Sequence, residues 1–278
     1  MNEKILLFFK GILMGICDLI PGISGGTIAF ITGIYERLIN AVKGFSFDTL
    51  IKRDFKKLDL GFLFFLLLGI ISAILIGSRG IKYLLENYLS YTLMFFMGLI
   101  LASSFIIFES IKNHKAWNVF FGLIGLIVGL SFGFLNPVNS EPSFAYVFFG
   151  GFVAISAMFL PGISGSFILL IMGLYEFIIE LLNDVIGNFG YLFVFGIGML
   201  FGAFFISRVI SFLFNKDKCK TLYFLLGLVI GALVIPIRRV IESGVDFKEI
   251  PILGFLFLIG ILVVLGVRSF QVKDLKSV

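Results

Sequence analysis

The sequence has few charged residues, two cysteines and a single histidine. Charged side chains make up 14% of its 278 residues, whereas roughly a quarter is typical of a soluble domain. Neither Cys17 nor Cys219 has a second cysteine or histidine at ligand spacing, so we expect no disulfide framework and no metal site. Long polar stretches are also missing, which leaves no segment for a sizeable domain outside a membrane.

Apolar residues dominate the composition. They account for 59% of the chain, the mean hydropathy is +1.12, and apolar stretches long enough to cross a bilayer recur from end to end. The sequence therefore predicts one all-α integral membrane unit whose surroundings are the bilayer. Its net charge of +5 reports membrane orientation in such a protein, and nucleic acid is not an expected partner.

An internal repeat is the most informative pattern in the sequence. The segment Pro21-Gly-Ile-Ser-Gly25 recurs 140 residues later as Pro161-Gly-Ile-Ser-Gly165. When residues 21–36 are aligned with residues 161–176, ten of the sixteen positions are identical. At an offset of 129, six further residues recur: Gly69, Ser78, Arg79, Thr92, Phe95 and Gly98 match Gly198, Ser207, Arg208, Thr221, Phe224 and Gly227. The chain is therefore predicted to consist of two related halves, residues 1–140 and 141–278.

Each half is predicted to contain an interrupted hairpin followed by three spans. The predicted elements are hairpin 5–41, broken at Pro21-Gly22, and spans 60–77, 91–108 and 116–134, then hairpin 144–182, broken at Pro161-Gly162, and spans 190–206, 221–237 and 250–267. A hairpin returns the chain to its starting side, so each half makes three net crossings. The second half is therefore expected to be an inverted-topology copy of the first.

The distribution of lysine and arginine predicts the orientation. With the N-terminus inside, 17 of the 22 basic residues fall on the cytoplasmic side, and only Arg79, Lys82, Arg238, Arg239 and Lys248 fall outside. The positive-inside rule selects this arrangement. We therefore expect a multi-pass protein of the cytoplasmic membrane with both termini in the cytoplasm.

The two Pro-Gly breaks are predicted to form an anion site. A helix that restarts after the break has unpaired N–H groups and a positive dipole end, both of which favour phosphate. In the two halves, the residues at these restarts are Ser24, Gly25, Gly26 and Thr27, and Ser164, Gly165 and Ser166. Ser24 is the expected N-cap of its helix, and the broken helices of the two halves are expected to meet near the middle of the membrane. The alternative is that the glycines only allow close helix packing.

Two arginines occupy the same place in the two halves. Arg79 and Arg208 each follow a predicted span, and the forked guanidinium group can bond two phosphate oxygens at once. Both are therefore candidate phosphate ligands. The alternative is that each extends its charge to the membrane surface along an apolar stem.

Three acids in apolar stretches are candidates for coupling transport to an ion. Glu36 and Glu176 are equivalent in the repeat, whereas Asp18 aligns with Met158 and is present in one half only. A carboxylate within the membrane can take up a proton or coordinate sodium. For Glu36 and Glu176 the alternative is an ordinary position at a helix end near the interface.

The motifs resemble those of the bacterial and archaeal polyprenyl-phosphate transporters. The similar residues are the segment from Asp18 to Thr27, its partner from Leu160 to Ser166 and the paired Tyr-Glu positions, and the resemblance covers essentially the whole chain. It implies a transporter that returns undecaprenyl phosphate to the cytoplasmic leaflet, with a polyprenyl-phosphate lipid as its partner. No catalytic residue is expected.

Two other functions remain open. Undecaprenyl-pyrophosphate phosphatases of the bacitracin-resistance type also have inverted repeats and a similar Pro-Gly-x-Ser motif, but theirs continues with Arg, where this chain has Gly25 and Gly165. An Arg there would stabilise charge on a phosphoryl oxygen, and its loss in both copies argues against hydrolysis. A transporter of a small soluble anion would differ only in the shape of its groove.

The expected transport needs an energy source but no cofactor. Moving a headgroup of charge near −2 inward against the membrane potential costs roughly 4 to 5 kcal/mol at 100 mV. Two protons or two sodium ions carried with it would offset that cost. The sequence leaves open the coupling ion, the length of the lipid chain and the oligomeric state.

Overall fold

The computed structural model of the chain describes residues 3–19, 24–45, 58–111, 114–135, 142–181, 184 and 186–276. The side chains at 77–79, 81–82, 110 and 266–276 lie outside this description. Within the described ranges every regular element is a helix. This confirms the predicted all-α class.

The helices of the first half are α1 Glu3–Asp18, α2 Gly25–Ile31, α3 Tyr35–Gly44, α4 Leu60–Asn87, α5 Leu89–Ser110 and α6 Ala116–Phe132. Those of the second half are α7 Phe144–Phe159, α8 Gly165–Ile171, α9 Tyr175–Leu181, α10 Phe189–Lys216, α11 Lys218–Ala232, α12 Val234–Glu242 and α13 Ile250–Lys276, with a short 3₁₀ turn at Phe247–Glu249. Side chains cap some starts: Ser143 accepts from the Tyr146 amide and Asp217 from the Lys220 amide.

The hairpins contain a second break that the sequence analysis missed. In both halves the returning arm is divided into two helices, α2 and α3 or α8 and α9. The turns contain Gly33 with φ 75° and Gly173 with φ 66°. These values lie in the left-handed region, which glycine enters without steric cost. Each hairpin therefore consists of three helices instead of the two that were predicted.

Four predicted spans differ from the observed helices, and one of them, 250–267, continues to Lys276 as α13. Helices α4 and α10 each contain 28 residues and continue past the predicted ends at 77 and 206, because no proline interrupts them. Arg79 and Arg208 consequently lie within helices and not just after them. The predicted span 221–237 divides at Leu233, and Pro236 falls in the first turn of α12, where a missing N–H costs nothing.

In the part of the chain that the structure describes, four segments are long and apolar enough to cross a membrane: Leu89–Glu109, Phe189–Lys216, Lys218–Glu242 and Phe247–Leu265. Shorter apolar helices cover Leu60–Ile76, Ala116–Phe132 and Phe144–Phe159. Many large apolar side chains on these helices are exposed, a surface that suits lipid and not water. The protein is therefore a multi-helical membrane protein.

Four helix pairs make the most extensive contacts: α1 with α4, α7 with α10, α5 with α13 and α6 with α11. Glycines allow the backbones to approach. A Cβ atom on Gly69 of α4 would overlap the carbonyl oxygen of Phe8, and one on Gly198 of α10 would overlap that of Phe148. Small residues at such crossings are the usual means of helix association in membranes.

Candidate functional site

The breaks of the two hairpins meet inside the protein. The amide of Gly162 donates to Thr27 Oγ1 at 2.7 Å, joining the second motif to the first. Ser24 Oγ donates to the carbonyl oxygen of Met158 at 3.4 Å, just before the second break. Sequence analysis predicted that the interrupted helices would meet. Pro21, Gly22 and Ile23 of the first motif lie outside the described residues, whereas Gly162 is described and has φ 93°.

The restarted helix α2 begins as its sequence predicts. Ser24 is the N-cap residue, and its side chain accepts from the Gly26 amide at 3.1 Å. Ser24 and Thr27 are almost fully buried, so these hydroxyls face protein groups and not solvent. In the second half, Ser164 also precedes a helix, but its hydroxyl bonds that of Ser166 at 2.8 Å. The two motifs therefore share a position in the repeat but differ in local bonding.

Asp18 occupies the position that was predicted for a bound anion. As the last residue of α1, it accepts a hydrogen bond from the Gly25 amide through Oδ1 at 2.7 Å. Its second oxygen, Oδ2, is buried and has no hydrogen-bond partner among the described groups. A buried carboxylate oxygen without a donor is costly. The acid proposed for ion coupling and the amide proposed for phosphate are therefore in direct contact.

The motif glycines are required by close approach. A Cβ atom on Gly25 would lie 2.5 Å from Asp18 Oδ2, one on Gly26 would lie 2.5 Å from the Met158 carbonyl oxygen, and one on Gly165 would lie 2.7 Å from the carbonyl oxygen of Ala154. Real Cβ atoms do not approach other atoms this closely. Any larger residue at these positions would have to displace a carboxylate or a neighbouring backbone.

Arg208, the candidate arginine whose side chain is described, makes no contact with the motifs among the described contacts. Arg208 Nη1 donates to the carbonyl oxygen of Phe204 at 2.8 Å, and its guanidinium carbon lies 3.2 Å from the centre of the Phe204 ring. Arg79 lies on α4, and its side chain is outside the described set. In this conformation Arg208 is therefore held by its own helix, one turn from Phe204.

The repeated glutamates lie apart from the motifs. Glu36 Oε2 accepts from Lys218 Nζ at 2.5 Å, and both side chains are about half exposed. Glu176 is exposed in the first turn of α9. Of the three acids that the sequence suggested for ion coupling, only Asp18 is in contact with a motif in the described bonds.

A polar cluster at the start of α3 joins the beginnings of three helices. Arg37 Nη1 pairs with Glu3 at 2.6 Å and Arg37 Nε pairs with Asp59 at 2.6 Å. This guanidinium holds the pKa of the Asp59 carboxyl below its usual range. The pairs connect the beginnings of α1 and α4 to α3.

One residue of the site was not found from sequence. Tyr35 is 2% exposed, and its hydroxyl donates to the Phe159 carbonyl oxygen, in the other half, at 2.8 Å. Its repeat equivalent, Tyr175, is 38% exposed, and no hydrogen bond from its hydroxyl occurs among the described groups. The repetition of the Tyr-Glu pair could have identified this tyrosine. The sequence analysis chose the glutamate of the pair as the candidate because it is charged.

An apolar groove of about 690 Å³ opens beside the motifs. Gly26 and Met158 line the groove at the motif end, and Val42, Phe45 and Leu63 are also among its lining residues. Helices of both halves form its walls. The groove gives an apolar molecule access to the place where the two broken hairpins meet.

Interrupted helices that meet inside a multi-helical membrane protein are typical of secondary transporters. Within the described residues, no group of three or more His, Cys, Asp or Glu side chains is placed to hold a metal ion.

Comparison with known families gives a more specific assignment. Residues 14–251 match the model of the VCA0040-like family, described as undecaprenyl phosphate translocase-like. The chain belongs to this family.

Two similar proteins are named polyprenyl-phosphate transporters. The polyprenyl-phosphate transporter of Vibrio cholerae is 34% identical over 233 residues, which cover 81% of this chain and 75% of the relative. The polyprenyl-phosphate transporter of Staphylococcus aureus is 31% identical over 247 residues, which cover 83% of this chain and 85% of the relative. No solved structure matches the chain.

Proposed function

We propose that this protein moves polyprenyl phosphate across the cytoplasmic membrane and returns the lipid carrier to the inner leaflet. The observation that carries the proposal is the meeting of the two broken hairpins at the Gly162 to Thr27 bond, beside a groove open to an apolar chain. The names of the two relatives support the substrate. A prenyl chain can stay in lipid while only its phosphate crosses the protein.

Transport is favoured over phosphatase activity by the motif glycines. The phosphatases that resemble this chain have an arginine after Pro-Gly-x-Ser, where Gly25 and Gly165 stand here. A Cβ at Gly165 would overlap the carbonyl oxygen of Ala154, and one at Gly25 would overlap the Asp18 carboxylate. An arginine at either position would therefore have to displace one of these groups. Without that arginine, the motif residues supply no positive side chain to stabilise charge on a phosphoryl oxygen during hydrolysis.

The proposed architecture is an inverted repeat of residues 1–140 and 141–278. The helix pairing supports it. The pair α1 and α4 in the first half corresponds to the pair α7 and α10 in the second. Helix α5 is equivalent to α11 and α6 to α13, and the pair α5 and α13 therefore corresponds to the pair α11 and α6. A pseudo-two-fold axis produces this exchange of partners. The charge split supports cytoplasmic termini.

In the proposed binding step, phosphate competes with Asp18 for the Gly25 amide. Asp18 Oδ1 accepts that N–H at 2.7 Å, so an ionised Asp18 excludes a phosphate oxygen by occupancy and by like charge. A proton on Asp18 removes the charge and weakens its hold on the amide. Proton uptake and phosphate binding would then promote each other, which couples transport to protons in preference to sodium.

The transport cycle requires a second conformation, and the two tyrosines support one. At the repeat offset of 140, Tyr35 corresponds to Tyr175 and Phe159 corresponds to Leu19. The Tyr35 to Phe159 bond is made, while Tyr175 is partly exposed. In the second conformation the roles reverse, with Tyr175 donating to the Leu19 carbonyl oxygen and Tyr35 released.

The remaining candidates have subsidiary roles in this proposal. Arg208 stacks on Phe204, a residue that lines the groove, and would be a first contact for an arriving phosphate. Arg79 would do the same in the other half.

The test is reconstitution into vesicles that contain polyprenyl phosphate, with the transbilayer rate measured under an imposed proton gradient. We expect the native protein to accelerate exchange and a Gly25→Val, Gly165→Val double variant to match empty vesicles. No acceleration by correctly inserted native protein would refute the proposal. Release of inorganic phosphate from polyprenyl pyrophosphate would favour the enzyme instead.

A further inference from the structure

The apolar groove beside the motifs differs from an ordinary lipid-facing surface. It is enclosed by α1, α3 and α4 of the first half and by α7 and α10 of the second, and its volume of about 690 Å³ is within the range of roughly 300 to 1,000 Å³ for ligand pockets. Its lining is almost entirely aliphatic and aromatic. Such a surface binds a hydrocarbon chain and offers nothing to a soluble anion.

The groove is open to lipid along one side. Leu67 on α4 and Leu200 on α10 both line the groove, and they are 50% and 73% exposed. A chain can therefore enter sideways from the bilayer without passing through water. This entrance favours a ligand that already resides in the membrane.

The motif end of the groove adjoins the proposed phosphate position. Gly26 lines the groove, and the preceding residue, Gly25, donates its amide to Asp18. If the charged group of a ligand replaced Asp18 at that amide, the atoms bonded to the charged group would lie at the end of the groove formed by Gly26. The chain and the charge must therefore be joined by a short linkage.

From this continuity we infer that the groove is the binding site for the first isoprene units of the prenyl chain. The inference rests on the proposed function and adds a second subsite to it. A prenyl phosphate carries a single chain directly on its phosphate, so one molecule fills both places. A glycerophospholipid interposes a glycerol with two acyl chains, which a single groove ending at Gly26 does not accommodate.

Selectivity for lipid phosphates follows from the two subsites. The amide and hydroxyls of the motif bind the phosphate. The groove binds the single methyl-substituted chain attached to it. Small anions lack the chain and gain nothing from the groove. The third function left open by the sequence, transport of a soluble anion, is thereby disfavoured.

Photocrosslinking tests the inference in the full-length protein. Benzoylphenylalanine is introduced singly at Leu67 and Leu200, and at the matched controls Leu68 and Phe201, which adjoin them on the same helices but do not line the groove. The control side chains are also exposed, so all four contact lipid. The probe is radiolabelled polyprenyl phosphate in phosphatidylglycerol vesicles.

We expect labelling at positions 67 and 200 to exceed that at 68 and 201 several-fold. Excess unlabelled polyprenyl phosphate should suppress it, and neutral polyprenol should do so in part, because polyprenol offers the same chain. Equal labelling at all four positions, or labelling that only phosphatidylglycerol suppresses, would overturn the inference and assign the groove to bulk lipid.

A second pair of variants separates this inference from the proposed function. Leu67→Trp fills the groove and should raise the KM for polyprenyl phosphate several-fold, whereas Leu68→Trp should not; equal KM values would count against the groove. Crosslinking needs no transport. If native protein fails to transport yet still labels selectively and competitively, the chain site stands and the proposed function falls.

Discussion

Removal of the Tyr35 hydroxyl is the most direct test of the two-conformation proposal. Tyr35→Phe deletes one oxygen from a buried ring and leaves its packing intact, including its edge-on contact with Phe30. The deleted group is the donor of the 2.8 Å bond to the Phe159 carbonyl oxygen. This bond joins the two halves, so its loss should weaken the present conformation relative to the alternative.

The size of the effect follows from the bond. A neutral intramolecular hydrogen bond contributes about 1 kcal/mol net, which corresponds to a roughly fivefold shift between two conformations. Tyr175→Phe is the matched control, because the same atom is deleted from a side chain that makes no such bond here. If Tyr175 bonds Leu19 in the alternative conformation, its variant should shift the equilibrium in the opposite direction.

The distance between the groove walls reports the equilibrium. Spin labels at Leu68 and Phe201, which flank the groove without lining it, would give a distance distribution by double electron–electron resonance in vesicles. We expect the major population to fall in Tyr35→Phe and to hold or rise in Tyr175→Phe. Identical distributions in both variants and the native protein would refute the reasoning.

Four further predictions concern the site and the membrane topology. Asp18→Asn should retain phosphate binding but lose the response of transport to an imposed proton gradient; an unchanged response would exclude Asp18 as the coupling residue. Gly25→Val should insert normally and abolish transport, since its side chain meets the Asp18 carboxylate. Arg208→Ala should weaken headgroup binding by about 1.5 to 3 kcal/mol, measured as a rise in KM that Arg208→Lys partly restores. Cysteines replacing Lys115 and Lys248 should react with impermeant maleimide from the cytoplasmic and the outer side respectively, and reaction from one side would contradict the topology.

Much of the helical framework was accessible from sequence because it depends on local composition. The predicted ends of α6 and the start of α7 lie within two residues of those observed, since polar residues bound these apolar runs. The breaks at Gly33 and Gly173 were missed, because a glycine inside an apolar run is compatible with a continuous helix. Only the backbone φ angle reveals that these two are turns.

The candidate site was predictable in its parts but not in its contacts. Ser24 as an N-cap and the meeting of the two motifs followed from residue type and repetition. The hydrogen bond between Asp18 and Gly25 could not be predicted. It joins residues seven positions apart on either side of the predicted helix break, and the sequence does not specify the geometry of that break. The same holds for Arg208, whose guanidinium donates to the carbonyl oxygen of Phe204 on its own helix.

The exchange of helix partners between the halves has a consequence for biosynthesis. Helix α6 ends at Phe132, but its partner α11 begins only at Lys218. The Thr27 hydroxyl likewise meets the Gly162 amide 135 residues later. During translation, the faces of α5 and α6 that pack on the second half are therefore exposed to lipid until that half is inserted. A fragment that ends at residue 140 should therefore be less stable in the membrane than the full chain, because α5 and α6 lack their partners α13 and α11.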